Sequence, residues 1–178
     1  DCPMAVRLIV DMQVGLRNGE PKHGLPGVID RINRLAAKVR EQSGMVIFIQ
    51  HCGGMGDDFE PETPGWALLP ELVHDPADVV VQKQMNDPFA GGSLQARLDR
   101  MAPDRVLVTG WATDLCVDAT VRSAVSNHHQ VVVVTDAHTL SDRPHLDATS
   151  VISHHHWVWS NLISERPVRL AQTDELLI

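Results

Sequence analysis

Three side chains with complementary chemistry stand close behind short apolar runs that predict β-strands. Asp11 follows residues 5–10, Lys83 follows residues 78–82, and Cys116 lies a short step beyond a third run. Because the carboxyl ends of parallel strands lie at one edge of a sheet, we expect these side chains to meet there. A carboxylate, an ammonium group and a thiol are components of nucleophilic catalysis through sulfur. The sequence therefore predicts a thiol-based enzyme.

Each of these residues has a defined role in such a reaction. Cys116 lies where a helix begins, a position that favours anions and predicts a thiol pKa below the free value of about 8.5. Asp11 can take the thiol proton and later return it to a leaving nitrogen. Lys83 can stabilise both anions with a compact positive charge. Each residue also has an ordinary interpretation when it is taken alone. Cys116 would be a buried core thiol, Asp11 would cap a turn, and Lys83 would be a solvated lysine at a strand end.

Alternating strand and helix patterns supply the elements that position these side chains. We predict strands at about 5–10, 45–50, 78–82, 105–109 and 131–135, with a weaker sixth near 167–170. Helical patterns cover residues 29–39, 93–98 and 115–125, the last capped by Thr113 or Asp114. Near-continuous Val, Ile and Leu strands separated by helices favour a parallel sheet covered on both faces. The predicted fold class is α/β, a three-layer α/β/α Rossmann-like domain with a six-stranded parallel sheet in the order 3-2-1-4-5-6.

Composition limits the classes of function. The chain has 178 residues, of which 43% are hydrophobic and 21% charged, so we predict one domain spanning 1–178. A net charge of -8 with scattered lysines and arginines disfavours nucleic acid and anionic membranes and favours small-molecule partners. No apolar run reaches the roughly 18 to 20 residues of a membrane-spanning helix, and no signal layout precedes the first strand. Three cysteines without a CxxC pair favour the cytoplasm.

One segment, 52–77, breaks the alternation of strands and helices. It is rich in glycine and proline, including Gly53-Gly54 and Pro64-Gly65, which predicts little regular structure. A long loop of this kind beside a sheet edge is usually functional. Substrate choice is therefore expected to depend on this loop.

Five short segments form a combined pattern across most of the chain. They are Asp11-Met12-Gln13, Lys83 with residues 89–94, residues 110–117, residues 120–124 and residues 135–137. Together they resemble the isochorismatase-like cysteine hydrolases, and the resemblance extends from about residue 6 to residue 163.

The resemblance implies a catalytic triad of Asp11, Lys83 and Cys116. It also implies a cis peptide bond between Trp111 and Ala112, and an oxyanion hole made by the backbone amides of Ala112 and Cys116. The implied reaction is attack of the thiolate on a small amide or related C–N bond, loss of ammonia or an amine, and hydrolysis of the thioester by water. The family further implies a homo-oligomer, commonly a dimer or tetramer, and no cofactor.

Three alternative functions remain open at this stage. Relatives that cleave the vinyl ether of isochorismate lack the cysteine, so that activity would survive loss of Cys116 but not of Asp11. A non-catalytic member would bind a metabolite or a partner protein without turnover, and its Cys116 would be unreactive. A redox-responsive thiol protein would need a second cysteine, such as Cys52, close in space.

Ten histidines raise the question of a metal. Nicotinamidases of this family carry an Asp-x-His pattern near the second strand, and residues 50–55 lack it. His51 and Cys52 are neighbours on a strand and point to opposite faces, so they are poor joint ligands. The tract 154–156 favours a helix start, an oligomer contact or an adventitious site. We therefore predict no functional metal.

The walls of the substrate pocket are predicted from the segments that border the crevice. They are Gln13, Trp66, Phe89 and Trp111, although core packing explains Phe89 and Trp111 equally well. His138 follows a strand end and could reach the same crevice, while Thr120, Arg122 and Asp136 are expected to support the site from behind.

Overall fold

A six-stranded sheet forms the centre of the protein in a computed structural model that describes residues 4–178. Its strands are β1 (Ala5–Val10), β2 (Met45–His51), β3 (Val79–Lys83), β4 (Arg105–Trp111), β5 (Val131–Thr139) and β6 (Arg169–Ala171). Every neighbouring pair is parallel, and the order is β3-β2-β1-β4-β5-β6. The predicted fold class and strand order are confirmed. Cys2 lies outside the described residues.

Helices cover both faces of this sheet. They are α1 (Leu25–Glu41), α2 (Ser93–Met101), α3 (Asp118–Ser126), α4 (Ala148–Ser160) and α5 (Thr173–Leu176). Alternate residues of β1 point to opposite faces, so Ala5 and Ile9 pack beneath α1, while Val6, Leu8 and Val10 pack with α2, α3 and α4. β1 is thereby buried along its whole length, which fixes the strand end that carries Asp11.

One charged side chain lies inside this core. Arg7 is in the middle of β1 and is fully buried, and none of its guanidinium nitrogens has a hydrogen-bond partner within residues 4–178. Burial, helped by the positive charge of Arg40, lowers the pKa of Arg7 to about 9. An unpaired buried cation is unfavourable for folding, which makes Arg7 an exception to the apolar pattern of its strand.

The structure differs from the predicted elements at two places. A π-helical turn, Thr113–Val117, precedes α3, and neither Thr113 nor Asp114 caps it, so the predicted cap is wrong. Both side chains instead bond to residues distant in sequence, as described below. The tract 154–156 lies inside α4 rather than at its start. The periodicity of apolar residues predicts the location of a helix well, but it predicts the first residue of the helix poorly.

The segment 52–77 is irregular, as predicted. Its regular structure within the described chain is a single 3₁₀ turn, Pro64–Trp66, and Leu68 forms an isolated bridge with Gln13. The segment is therefore attached to the carboxyl edge of β1. Among residues 4–178, no helix combines the length and the apolar character needed to cross a bilayer.

Candidate active site

The structure brings Asp11, Lys83 and Cys116 together at the carboxyl edge of the sheet. The ammonium nitrogen of Lys83 lies 2.9 Å from Oδ2 of Asp11 and donates to Sγ of Cys116 at 3.4 Å. The three residues are only 1%, 5% and 8% exposed, respectively. A buried ion pair in contact with a thiol is an arrangement typical of a reactive site.

Strand order explains why a lysine fills the central position. β2 lies between β1 and β3, so the ends of β1 and β3 are about 10 Å apart. Lys83 is the last residue of β3, and its four-carbon stem lets the ammonium group cross the end of β2. Asp11 has a φ of 51° just after β1, and its backbone N–H donates to the carbonyl of Ile49 at 3.0 Å. The carboxylate is thereby held at the edge of the sheet.

Cys116 reaches the site through a close approach of β4 to β1. Gly110 has a φ of 126°, and a Cβ there would lie 2.2 Å from the carbonyl oxygen of Val10, so only glycine fits. One residue further on, the Trp111–Ala112 peptide bond is cis, as the resemblance implies. The carbonyl of Ala112 then accepts from the amides of Leu115 and Val117, both at 3.0 Å. These bonds close the turn that carries the thiol.

Burial decides the protonation of the thiol. It raises the pKa of Cys116 to about 11, the negative charge of Asp11 adds to the rise, and Lys83 opposes it. The predicted lowering of the thiol pKa is therefore wrong for the resting site, because burial and a neighbouring carboxylate outweigh the helix start. Burial also raises the pKa of Asp11, against the opposing charge of Lys83.

One carboxylate oxygen of Asp11 remains free to act. Oδ1 is buried and has no hydrogen-bond partner among the described residues, whereas Oδ2 contacts Lys83. A buried oxygen without a partner is costly and is a common feature of reactive groups. This oxygen can accept a proton from the thiol or from a substrate nitrogen.

Sequence reasoning missed two neighbours of the triad. Asn86 donates from Nδ2 to Sγ of Cys116 at 3.4 Å. His51 lies with Nδ1 3.2 Å from the ammonium nitrogen of Lys83. Asn86 is in an irregular loop without a pattern, so no sequence signal marked it. For His51, the signal in the sequence is its place at the end of the second predicted strand, between the strand ends that carry Asp11 and Lys83.

Comparison with known proteins identifies the family. The model of the isochorismatase domain matches residues 5–155. The chain belongs to the isochorismatase family. A crystal structure of an isochorismatase family protein shares the fold with a TM-score of 0.85 and 25% identity, and the match covers 94% of this chain and 98% of that one.

Two curated relatives carry names that refer to hydrolysis. A streptothricin hydrolase of Streptomyces noursei is 36% identical over 138 residues, 77% of this chain and 50% of that protein. A ureidoacrylate amidohydrolase of Variovorax paradoxus is 27% identical over 143 residues, 64% of this chain and 57% of that protein. The match thus spans only about half the length of each of these two relatives. The proteins that this family member resembles thus include ones named as a hydrolase and as an amidohydrolase.

Two of the residues predicted to line the pocket, Gln13 and Trp66, are joined by a hydrogen bond. Gln13 is fully buried; its Nε2 donates to the carbonyls of His51 at 3.0 Å and Trp66 at 2.8 Å, and its Oε1 accepts from the amide of His51 at 2.9 Å. Trp66 is half-buried and donates from its indole nitrogen to Sγ of Cys52 at 3.4 Å. The side-chain amide of Gln13 therefore holds the end of β2 and the segment around Trp66 in place.

The other two predicted walls, Phe89 and Trp111, have different environments. Phe89 is 7% exposed and lies in the same core cluster as Cys116. Trp111 is half-buried, its ring centroid is 5.6 Å from that of Phe59, and Lys22 lies over its ring at 5.9 Å. Trp111 therefore lies at the surface near the nucleophile, whereas Phe89 contributes to packing.

Long-range contacts hold the turn of the nucleophile on two sides. Asp114 accepts two hydrogen bonds from Arg143, at 2.8 and 2.6 Å, which ties the turn to the loop after β5. Thr113 bonds to Nδ1 of the buried His138 at 2.7 Å, and Nε2 of His138 lies 2.8 Å from Nε2 of His156. His138 thus reaches the turn rather than the triad.

The three predicted supporting residues contribute unequally. Thr120 donates to the carbonyl of Cys116 at 2.6 Å and directly fixes the nucleophile. Asp136 accepts from the backbone and hydroxyl of Thr173, so it anchors α5. Arg122 pairs with Asp118 one turn away on α3.

Possible metal ligands do not assemble in the part of the chain that the structure describes. Within residues 4–178, no group of three or more His, Cys, Asp or Glu side chains is arranged so that it could hold a metal ion. The ring of His51 contacts Lys83, whereas the sulfur of Cys52 accepts from Trp66, so the two side chains have different partners.

A surface cleft of about 400 Å³ lies beside the loops that precede β4 and β5. It is at the opposite edge of the sheet from the triad.

Proposed function

We propose that this isochorismatase-family hydrolase is a cysteine amidohydrolase that cleaves a small amide or related C–N bond through a thioester on Cys116. The observation that carries the proposal is the contact of one buried ammonium group with both the carboxylate of Asp11, at 2.9 Å, and the sulfur of Cys116, at 3.4 Å. A proton acceptor, a cation and a nucleophile within hydrogen-bonding reach of one another are what acyl transfer to sulfur needs.

In the proposed first step, Oδ1 of Asp11 takes the proton of the Cys116 thiol. Burial raises the pKa of Asp11 and so makes it a stronger base than an exposed aspartate. The thiolate that forms accepts N–H donors from Lys83 and Asn86, both at 3.4 Å from Sγ. Both donors lower the pKa of Cys116, but burial and Asp11 still hold it at about 11, so the thiolate is rare at neutral pH until Asp11 takes the proton.

The later steps break the C–N bond and release the product. The thiolate adds to the carbonyl carbon, and the oxyanion is stabilised by the backbone amides of Ala112 and Cys116. The leaving nitrogen departs with the proton that Asp11 holds, which leaves a thioester. Water then adds to the thioester with Asp11 as base, and the thiol and a carboxylic acid are released.

The relatives suggest which compounds to test. One is named for the hydrolysis of streptothricin and another for that of ureidoacrylate. We therefore propose small amide or ureido compounds as the substrate class, and streptothricin, ureidoacrylate and simple primary amides as the first compounds.

The test is turnover of these compounds together with trapping of the acyl enzyme. Wild-type protein is expected to release the amine or ammonia, and acid quenching should leave a mass increment on Cys116. Cys116→Ala should lower the rate by at least about a thousandfold, as expected when a nucleophile is removed. Cys52→Ser is the matched cysteine control and should keep the wild-type rate.

A specific result would contradict the proposal. If Cys116→Ala hydrolyses isochorismate as fast as wild type while Asp11→Asn does not, the site is a vinyl ether hydrolase. Tight binding of these compounds without turnover by any form would indicate a non-catalytic member.

A further inference from the structure

The ammonium group of Lys83 has three neighbours that can accept a hydrogen bond. They are Oδ2 of Asp11 at 2.9 Å, Sγ of Cys116 at 3.4 Å and Nδ1 of His51 at 3.2 Å. An ammonium group has three N–H donors and no acceptor, so each donor has one partner. Nδ1 of His51 must then present a lone pair, which makes the imidazole neutral with its proton on Nε2.

The structure fixes the ring of His51 in this position. His51 is paired in register with Lys83, and its backbone N–H and C=O are both bonded to the side chain of Gln13. Its ring packs edge-on against Phe59, with centroids 5.9 Å apart. Backbone and ring are both held, so His51 is a rigid acceptor for Lys83.

Three charged groups face this ring from the surrounding elements. Lys83 approaches from β3, Asp11 from the end of β1, and Asp57 from the irregular segment. Burial, helped by the charge of Lys83, lowers the pKa of His51, while the two carboxylates oppose that shift. The neutral form therefore persists below the usual histidine range.

We propose that His51 is a positioning residue for the triad, that its neutral imidazole holds the third N–H of Lys83, and that its protonation disables the site. An imidazolium has no lone pair on Nδ1 and would place a second cation 3.2 Å from the ammonium nitrogen. Lys83 would then turn away from Asp11 and Cys116. The inference rests on the proposed function, because positioning has a purpose only if the triad reacts.

The first test compares two substitutions of His51 in a pH profile of kcat/KM. His51→Asn keeps a neutral acceptor near the place of Nδ1, whereas His51→Leu has none. The wild-type rate is expected to fall only when the pH drops below the ordinary histidine pKa of about 6.5, because the pKa of His51 is lowered. His51→Asn should stay active without that acid limb, and His51→Leu should lose about tenfold or more in kcat at every pH. His154→Asn, on the exposed face of α4, is the control and should match wild type.

The second test needs no substrate. Nitrogen-15 NMR of the imidazole side chains reports which ring nitrogen carries the proton, and the His51 signal is the one that His51→Asn removes. We expect a neutral ring protonated on Nε2 at about pH 7, and protonation of the ring only below the ordinary histidine pKa of about 6.5. In Lys83→Met the preference for that tautomer should weaken and the pKa of His51 should rise.

These tests separate the inference from the proposed function. If no compound turns over but the NMR result is as expected, the proposed function fails and the contact between His51 and Lys83 stands. If turnover is found but His51→Asn keeps the wild-type acid limb, or His51 is protonated on Nδ1, the inference is wrong.

Discussion

At the scale of residues, the site depends on how one ammonium group is shared. Lys83 contacts a carboxylate, a thiol and an imidazole, and all four groups are at least half-buried. Because low-dielectric surroundings strengthen electrostatic interactions, removal of one charge should shift the pKa values of the others. Substitutions at Asp11 and Lys83 should therefore change the reactivity of Cys116 in opposite directions.

This opposition gives a prediction about alkylation. The charge of Asp11 raises the pKa of the thiol, so Asp11→Asn should lower that pKa and speed reaction of Cys116 with iodoacetamide at pH 7. The same substitution removes the proposed base, so amide hydrolysis should be lost. Lys83→Met should slow alkylation as well as hydrolysis. Peptide mass spectrometry of alkylated protein measures the rates, and slower alkylation in Asp11→Asn would contradict the electrostatic account.

The pH dependence of alkylation follows from the same shift. With a pKa of about 11, the thiolate fraction of Cys116 in wild type should rise about tenfold per pH unit from pH 7 to pH 10, without a plateau. A plateau near pH 7 would show that the resting thiol is already ionised.

At the scale of elements, the turn after β4 is held by a clamp from the loop after β5. Asp114 and Arg143 form two short hydrogen bonds, and the side chains are only 21% and 26% exposed. A bidentate guanidinium bond fixes the direction of the carboxylate as well as its distance. The clamp therefore orients the turn that carries Cys116.

Replacement of this guanidinium tests the clamp. Arg143→Lys keeps the charge but cannot form both bonds, so kcat for the amide substrate should fall by about tenfold while KM changes little. Arg122→Lys, which alters a comparable pair within α3, is the control and should keep the wild-type kcat. Equal kcat values for the two variants would contradict an orienting role.

The central strand contains a second testable feature. Arg7 is fully buried without a hydrogen-bond partner in the described chain. Replacement of a buried ion pair by apolar side chains of similar volume is often neutral or stabilises a protein by about 1–4 kcal/mol. Arg7→Met loses no partner, so we expect it to raise the free energy of unfolding within about that range. Urea denaturation at pH 7 measures the change. A destabilised variant would indicate that Arg7 has a partner the described contacts do not include.

At the scale of the whole molecule, buried histidines couple stability to pH. Burial, with the nearby His156 and His155, lowers the pKa of His138 to about 3. The unfolded chain binds a proton at this residue below about pH 6.5, whereas the folded protein does not until near pH 3. The folded state therefore loses stability as the pH falls below 6.5.

The expected size of this loss is measurable. Between pH 7.5 and pH 5, His138 alone should lower the free energy of unfolding by about 2 kcal/mol. His138→Gln should be less stable than wild type at pH 7.5, because it disturbs the bond to Thr113. Between pH 7.5 and pH 5, however, the variant should lose about 2 kcal/mol less of its free energy of unfolding than wild type does. Denaturation at both pH values measures the effect, with His154→Gln as the control. An unchanged pH dependence in His138→Gln would refute the assignment.

Much of the fold was determined by local sequence. Short apolar runs alternate with helical patterns, and that alternation alone favours a parallel sheet with its strand ends at one edge. The observed strands β1 and β2 begin at the predicted residues, while β5 extends four residues further, to Thr139, because its end pairs with β4. The convergence of Asp11, Lys83 and Cys116 followed from that order, although their catalytic roles stay predictions.

Only the tertiary structure decided how these groups are protonated and what else they contact. The pKa of Cys116 depends on burial and on the distance to a carboxylate more than one hundred positions away in sequence, neither of which a local pattern contains. Asn86 and His51 likewise became neighbours of the triad through packing rather than through a motif. Sequence periodicity specifies which face of an element is buried, but distances between side chains from different elements exist only once the sheet has formed.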